Sequence, residues 1–257
     1  VLVGGGKNGK SSYLNMVNEL LGKRNTTHLS IHEIVTDKFS TQLLTNKLLN
    51  IGDDIEKEFV QNVGLLKKLV TGETIIAQKK GQDQFNMTYY GKFLFSCNEI
   101  PRINDKTPGM KSRMVVVPFN GVFTKENKIP FVDEKLKEQK AMEYIIKICV
   151  DSLNTLILND EFTIPQVVVS ATNEYHKDND SVALWGEEYG EIDQKPIKEV
   201  YLSYCVFCSE ANMKPEGRNT FCRRLYSSGY ERKEVKDSDR KSKYIFNKRI
   251  ADNNDNL

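Results

Sequence analysis

The sequence predicts an α/β fold, followed by a helical segment and a small C-terminal domain. The first observation is an apolar start, residues 1–3, which runs into three glycines and then into a helical pattern over residues 9–22. The second is that helical patterns alternate with short apolar runs typical of buried strands, at residues 48–52, 92–97 and 114–119. The third is a change, after residue 190, to two helical patterns and a β-ribbon.

The composition excludes the membrane and secreted classes. The 257 residues are 39% hydrophobic and 28% charged, and no apolar run approaches the ~20 residues that span a bilayer. No signal peptide opens the chain, and five scattered cysteines are too few for a disulfide scaffold. We therefore predict reduced thiols and a cytoplasmic location. Because the chain opens on Val1 and its first motif begins at residue 4, we expect it to be part of a longer protein.

The first 130 residues supply the elements of the predicted α/β core. The helix over 9–22 follows the glycines, and Ser30-x-x-Glu33 is a capping box that opens a short helix. A second amphipathic helix is predicted over 57–70. Residues 75–90 are predicted to form a hairpin, because they alternate loosely around a Lys-Lys-Gly-Gln tip.

After residue 130 the pattern becomes mainly helical. Helices are predicted over 133–158 and 165–178, followed by a linker over 178–190 that is rich in Asp, Asn, Glu and Gly. Two helices and a ribbon then follow in the order of a winged helix, with predicted ranges of 196–211, 218–228, 231–236 and 243–249. The predicted domains are a core over 1–130, a helical segment and linker over 131–189, a winged-helix domain over 190–250 and a disordered tail over 251–257.

The glycine-rich connection after the first strand predicts a nucleotide site. Residues 4–11 read GGGKNGKS and match the phosphate-binding pattern G-x-x-x-x-G-K-[ST]. Glycines let backbone N–H groups face phosphates without a Cβ in the way, and the N-terminus of the next helix adds positive charge. Lys10 is predicted to reach the phosphates of ATP, and the Ser11 hydroxyl to ligate Mg²⁺. The predicted cofactor-binding residues are Gly4, Gly5, Gly6, Lys7, Asn8, Gly9, Lys10, Ser11 and Ser12.

Four polar residues further along the chain complete this predicted site. Asp53 and Asp54 end a buried strand, where one carboxylate would hold Mg²⁺ and the other would polarise the attacking water. We assign Asp53 to the metal and Asp54 to catalysis, although their adjacency leaves the order open. Asn98 would orient the same water, but Asn at a strand end is also ordinary turn chemistry. Arg113 would be offered to the ATP of a neighbouring subunit, but alone it is typical of a surface arginine.

Basic residues predict a polyanion partner at two places. Lys79 and Lys80 lie at the tip of the predicted hairpin, where they would hold successive phosphates of a single strand; an ordinary solvated turn is the alternative. Residues 195–249 carry 14 Lys/Arg against 7 Asp/Glu, which favours a nucleic-acid contact over a protein-binding winged helix with a solvated basic face. The predicted DNA-binding residues on its second helix are Arg218, Arg223 and Arg224.

The motifs GGGKNGKSS, NIGDD, IIAQKKGQ, FLFSCNEIPRI and SRMVVVPF occur in the order found in superfamily III helicases. The chain resembles in particular the phage, plasmid and pathogenicity-island primase–helicases and the poxvirus primase–helicase. The resemblance implies an AAA+ core with a five-stranded parallel sheet, a hexameric ring with ATP at the subunit junctions, and DNA in the central pore. It places the Walker A motif on 4–11, the acidic pair on Asp53 and Asp54, the motif C asparagine on Asn98, the arginine finger on Arg113 and the pore hairpin on Lys79 and Lys80. Gly81 departs from the bulky or basic tip of many relatives, which leaves most of the predicted DNA contact to Lys80.

Two functions remain open from the sequence. The leading hypothesis is an ATP-dependent replicative DNA helicase of a mobile element or virus, which moves along single-stranded DNA as a hexamer. The alternative is an origin initiator or scaffold that binds double-stranded DNA and uses ATP for assembly and melting. Either would act in the cytoplasm of a bacterial host or at a viral replication site. A replication initiator or a primase would be a further partner, and no membrane partner is predicted.

Overall fold

The structure is a computed structural model that describes residues 1–53, 64–101, 109, 112–236 and 242–249. Its contacts divide the chain into two compact units, Val1–His176 and Lys177–Leu257. We call these the sheet unit and the ribbon unit. Asp54, part of the predicted 57–70 helix and the predicted tail over 251–257 lie outside the described residues. No helix in the described ranges is long and apolar enough to cross a membrane.

A five-stranded parallel sheet forms the centre of the sheet unit, and this confirms the predicted sheet. The strands of this unit are β1 Leu2–Val3, β2 Thr26–Thr27, β3 Leu49–Gly52, β4 Thr74–Gln78, β5 Gln84–Thr88, β6 Lys92–Cys97 and β7 Val117–Pro118. The sheet has the order β2-β3-β6-β1-β7, and its pairings are parallel. The register aligns Val3 with Cys97 and Gly52 with Phe95, so β1, β3 and β6 end at one carboxyl edge. β4 and β5 form a separate antiparallel hairpin, as predicted.

The helices of the sheet unit are α1 Lys10–Leu21, α2 Ile31–Thr36, α3 Gly64–Thr71, α4 Val132–Lys137, α5 Gln139–Asn159 and α6 Gln166–Asp178, the last of which extends past the unit boundary. Ser30 and Glu33 form the predicted capping box at the start of α2: the Ser30 hydroxyl accepts from the Glu33 N–H, and the Glu33 carboxylate accepts from the Ser30 N–H.

The parallel strands are covered on both faces, as such sheets require. Successive side chains of a strand point to opposite faces. Leu2, Leu49 and Ile51 pack with Leu14 of α1 on one face. On the other face, the buried residues of α2 and α3 pack against β6, in a cluster that includes Ile31, Ile34, Leu66, Leu69 and Phe95.

The described residues of the ribbon unit form three helices and an antiparallel ribbon. Its elements are α7 Ser181–Tyr189, α8 Ile197–Glu210, α9 Arg218–Ser227, β8 Tyr230–Lys236 and β9 Ser242–Lys248. The unit has its own core, in which Trp185, Tyr204, Phe221 and Phe246 are almost fully buried. The predicted order of two helices and a ribbon is therefore present, with ends within two residues of the prediction.

The predicted linker over 178–190 is wrong, because most of this stretch is helix α7. Asp180 caps the helix by accepting from the N–H groups of Val182 and Ala183. Val182 and Trp185 then anchor the helix in the core of the ribbon unit. The polar composition of residues 178–190 suggested a linker, but the apolar side chains of Val182 and Trp185 are both buried in the core and hold the helix there.

Two further elements differ from their predicted limits. The strand predicted over 114–119 is shorter as β7, Val117–Pro118, although hydrogen bonds to the first strand continue on both sides of it, from the Val1 amino group to the Val115 carbonyl oxygen and from the Phe119 N–H to the Val3 carbonyl oxygen. The Val116 N–H points away from β1 and donates to the Thr172 hydroxyl of α6 at 3.0 Å. The helix predicted over 133–158 is divided at Glu138, which has extended backbone angles and separates α4 from α5. None of the residues of α5 is buried.

Candidate functional site

The carboxyl edge of the sheet gathers three of the predicted polar segments. Gly4 follows β1, Asp53 follows β3 and Asn98 follows β6, and these strands are neighbours in the sheet. A cleft of about 410 Å³ is lined by residues 6–12, 53 and 96–98. Clefts outside the carboxyl ends of parallel strands are the usual ligand sites of such sheets. Residues 6–12, Asp53 and Asn98 of the predicted site thus share one cleft, whereas Gly4 and Gly5 are absent from its lining and Asp54 lies outside the described residues.

Two glycines are required by the shape of the loop that leaves β1. A Cβ on Gly4 would lie 2.4 Å from the Phe119 carbonyl oxygen, so no larger residue fits there. Gly9 precedes α1 with φ 86°, a left-handed conformation that favours glycine. Around Gly5 and Gly6, by contrast, a Cβ would meet nothing within 4 Å. The open space beside these two glycines is available to a ligand.

Lys10 points its ammonium group into a set of neutral oxygens. Its Nζ donates to the Gly4 carbonyl oxygen, to Asn8 Oδ1 at 3.2 Å and to Asn98 Oδ1 at 3.5 Å. Asn8 is itself fixed, since its Nδ2 donates to the Phe119 carbonyl oxygen at 3.2 Å. Only 7% of Lys10 is exposed to solvent. The ammonium is positioned, and among the described residues the oxygens that accept from it are neutral, which leaves it able to attract an anion.

Asp53 and Ser11 line the same cleft, and Asp53 is the carboxylate in its described lining, the ligand type that Mg²⁺ prefers. Asp53 leaves the buried strand β3 directly after Gly52. A Cβ on Gly52 would approach the Phe95 ring to 2.5 Å and the Leu29 carbonyl oxygen to 2.8 Å. Gly52 is therefore a positioning residue for Asp53 that the sequence reasoning missed. The signal for it was the glycine directly before the acidic pair.

Ser12 lines the cleft, but its hydroxyl has a partner outside it. The pKa of the Asp133 carboxyl is lowered because the Ser12 hydroxyl donates a hydrogen bond to it, with a smaller contribution from Asn15. Asn15 Nδ2 donates to Asp133 Oδ2 at 3.2 Å. These bonds attach α4 to α1, so the side chain of Ser12 has a structural contact as well as its place in the lining.

Arg113 lies at the opposite edge of the sheet from the cleft. It precedes β7, whereas the cleft follows the ends of β1, β3 and β6. Phe119 lies at the carboxyl end of β1, because its N–H donates to the Val3 carbonyl oxygen. Arg113 precedes Phe119 by six residues, which is up to about 20 Å along an extended chain. The Arg113 guanidinium donates to the Gly109 carbonyl oxygen and lines a different pocket of about 210 Å³. Within one chain, the structure does not bring Arg113 to this cleft.

The two hairpin lysines lie at the exposed tip between β4 and β5. The Gln82 N–H bonds the Lys79 carbonyl oxygen at 3.1 Å, and Gly81 has φ 74° at the third position of this turn. Glycine is favoured there because the turn needs a positive φ. The departure at Gly81 therefore has a backbone cause, and it leaves Lys79 and Lys80 as the cations of the tip.

The three arginines of α9 have different surroundings. Arg218 and Arg223 are exposed. Arg224 forms ion pairs with Asp180 Oδ2 at 2.5 Å and with Glu216 Oε1 at 2.9 Å. Burial alone would lower the pKa of Arg224, but the hydrogen bonds and charges of the two carboxylates raise it. Its guanidinium is thus used inside the ribbon unit, which argues against the predicted DNA contact for Arg224.

The two units match two protein families separately. Residues 2–113 match the family described as "Family of unknown function (DUF5906)". Residues 177–255 match the family described as "Poxvirus D5 protein-like". The second match begins at the first residue of the ribbon unit.

Similar proteins include two from iridescent viruses. "Putative helicase 121R" of Invertebrate iridescent virus 3 is 24% identical over an alignment of 238 residues, which covers 78% of this chain and 25% of that protein. "Putative helicase 184R" of Invertebrate iridescent virus 6 is 30% identical over 99 residues, covering 37% of this chain and 10% of that protein. The chain therefore spans a quarter or less of these curated relatives.

A similar fold occurs in a solved structure, the A form apo structure of the NrS-1 C-terminal region. It has a TM-score of 0.53 and 14% identity, and the alignment covers 95% of this chain and 64% of that chain. At this identity the likeness concerns the fold alone.

Proposed function

We propose that this chain, which is related to the superfamily III primase–helicases, is the motor part of an ATP-dependent DNA helicase that acts in replication. In this proposal the sheet unit binds and hydrolyses ATP, and the hairpin tip moves single-stranded DNA. The ribbon unit, with its helices and ribbon acting as a winged helix, contacts DNA through the exposed arginines of α9. The protein would work as a ring of copies, by the family resemblance a hexamer.

The single observation that carries the proposal is the convergence of Lys10, Asn98 and Asp53 on one cleft beside the glycine loop. The open space at Gly5 and Gly6 would receive the phosphates, with backbone N–H groups and Lys10 as donors. Ser11 and Asp53 would hold Mg²⁺, which neutralises charge on the phosphates when bound. Asn98 leaves β6 beside Lys10, where its amide would orient a water toward the phosphate.

The position of Arg113 supports action between copies of the chain. The cleft beside the glycine loop of the same chain is at the other edge of the sheet from Arg113. An arginine at this position would therefore serve the ATP of a second copy. Helix α5 supports the same assembly. Apolar residues recur along one side of it, and Ile146, Leu153 and Ile157 on that side are 50%, 52% and 68% exposed. An apolar helix face is normally covered, and we propose that a second copy covers it.

The proposal is tested by ATP hydrolysis with and without single-stranded DNA, with the oligomeric state followed by light scattering on the same samples. We expect DNA to stimulate hydrolysis in the assembled protein. Lys10→Ala should lower the hydrolysis rate about a hundredfold or more, because a positioned cation at the phosphates is lost. The matched control is Lys92→Ala, which removes an exposed lysine from the other end of the same strand that leads to Asn98.

Arg113→Ala separates the assembly part of the proposal from the binding part. We expect it to abolish hydrolysis while nucleotide binding, measured with a fluorescent ATP analogue, stays within about twofold of the parent.

A Lys10→Ala protein that still hydrolyses ATP at the parental rate would refute the site. Hydrolysis that ignores DNA, together with tight double-stranded DNA binding, would instead favour the initiator function.

A further inference from the structure

The ribbon unit contains a groove between α7 and α8 that the proposed function does not use. It has a volume of about 480 Å³. Leu202 and Val206 of α8 form its apolar floor, and Trp185 and Tyr189 of α7 belong to its lining. We propose that this groove binds a basic amphipathic helix of a partner protein.

The floor of the groove is apolar and exposed in this chain. Leu202 is 63% and Val206 is 50% exposed, and they lie four residues apart on one face of α8. Trp185 stacks on Tyr189 with ring centroids 4.9 Å apart, and edge-on contacts with Tyr204 and Phe221 hold the indole in place. A rigid aromatic wall beside an exposed aliphatic stripe is the kind of groove into which an amphipathic helix packs.

The charges around the groove select a basic occupant. Glu188, Glu199 and Glu210 belong to the lining, and all three are exposed. In the described ranges, none of them forms an ion pair with a cation. Glu199 and Glu210 stand at the two ends of the stripe, about 16 Å apart along α8. This spacing suits a helical segment of about three turns with Lys or Arg near both ends.

The same charges argue against nucleic acid in the groove. A phosphate backbone would be repelled by three unpaired carboxylates. The two exposed arginines of α9, Arg218 and Arg223, are absent from the lining of the groove. The unit thus offers DNA one surface and a basic protein segment another.

The wall of the groove also holds an unused donor. Trp185 is only 2% exposed, and in the described part of the chain its indole N–H has no hydrogen-bond acceptor. Buried donors are normally satisfied. A bound segment reaches this donor only if the Trp185 ring shifts, because Nε1 is itself closed to solvent.

The experiment uses the whole chain and a designed probe. The probe is a capped peptide of about 15 leucines and lysines, with leucine at i, i+3, i+4 and i+7 so that it forms an amphipathic helix. Trp185 is the only tryptophan of the chain, so its fluorescence and its single indole N–H resonance report the groove directly. We expect saturable binding with a shift of that resonance. A peptide with glutamate in place of lysine should bind at least tenfold more weakly.

Variants decide whether the groove itself is the site. Glu199→Gln with Glu210→Gln should weaken peptide binding about fivefold, and Leu202→Asp should weaken it at least tenfold. The matched control is Glu231→Gln with Glu234→Gln, which removes two exposed carboxylates from β8 and should leave peptide binding unchanged. DNA binding should be the same in the Glu199/Glu210 variant and the parent. A Trp185 resonance that does not move, or equal effects of both double variants, would overturn the proposal.

Discussion

Lys10 shows how a cation can be held without being neutralised. Within the described part of the chain, its Nζ donates to a carbonyl oxygen and to two side-chain amide oxygens, none of which carries a formal charge. They fix the direction of the ammonium group and leave most of its attraction for an anion. A carboxylate in the same place would compete with a phosphate for the lysine. Asn8 and Asn98 therefore prepare the cleft by their chemistry as well as by their position.

The Asn50 side chain links the strand before Asp53 to the backbone of Leu29. It is fully buried, its Oδ1 accepts from the Leu29 N–H at 2.9 Å, and its Nδ2 donates to the Leu29 carbonyl oxygen at 2.9 Å. Asn50→Leu would leave both backbone groups unpaired, so we expect it to lower the free energy of unfolding by about 2–4 kcal/mol. Urea denaturation measures this. Asn86→Leu, at an exposed position of β5, is the control and should change it by less than about 0.5 kcal/mol.

Tyr89 makes the sheet unit sensitive to alkali. Burial raises the pKa of Tyr89 to about 12, and its hydroxyl donates to the Lys92 carbonyl oxygen at 3.0 Å. The folded pKa lies above the unfolded value of about 10, so the folded state holds the proton more tightly. The stabilisation is therefore complete below pH 10 and is lost as the pH rises toward 12.

The measurement is the free energy of unfolding between pH 8 and 11.5. Tyr89→Phe should be less stable at pH 8 by about 1 kcal/mol, because a hydrogen bond is lost, and should show a flatter decline above pH 10. Tyr90→Phe is the control, since Tyr90 is 59% exposed. Equal declines in the parent and in Tyr89→Phe would contradict the assignment.

The hairpin of β4 and β5 is the element that carries the predicted contact with single-stranded DNA. Its tip presents two exposed lysines, and its buried residues, Ile75, Ala77 and Met87, attach it to the core. Lys79→Ala with Lys80→Ala should weaken binding of single-stranded DNA and reduce the slope of log affinity against log salt by about 1.4, because two phosphate contacts are lost. DNA stimulation of hydrolysis should fall, whereas hydrolysis without DNA should not.

The matched control for the hairpin is Lys125→Ala with Lys128→Ala, which removes two exposed lysines from a loop of the same unit. An identical salt slope for the hairpin variant and this control would mean that the tip is an ordinary solvated turn.

Two separate cores predict that the units unfold separately. The cores of the sheet unit and the ribbon unit share no residue. Trp185, the only tryptophan, belongs to the ribbon unit, so its fluorescence follows that unit alone. We expect Asn50→Leu to lower the melting temperature of part of the far-ultraviolet circular dichroism signal and to leave the tryptophan transition within about 1 °C. Equal shifts by both probes would show one cooperative molecule.

The sequence by itself determined the features that depend on local backbone chemistry. The glycine loop between β1 and α1, the capping box of α2 and the hairpin with Gly81 at its turn all follow from residues a few positions apart. Their geometry requires glycine at positive φ or a short polar side chain at a helix start, and the sequence shows directly which residues meet these requirements. The order of the motifs also indicated the family to which the chain is related.

Only the tertiary structure decided which distant residues meet. It placed Asn98 beside Lys10 and left Arg113 at the opposite edge of the sheet, because parallel strands sort residues by whether they precede or follow a strand. It paired Arg224 with Asp180, which are far apart in the chain, and so set it apart from the other two arginines predicted to bind DNA. Contacts between remote segments depend on the packing of whole elements, and no local pattern of residues records them.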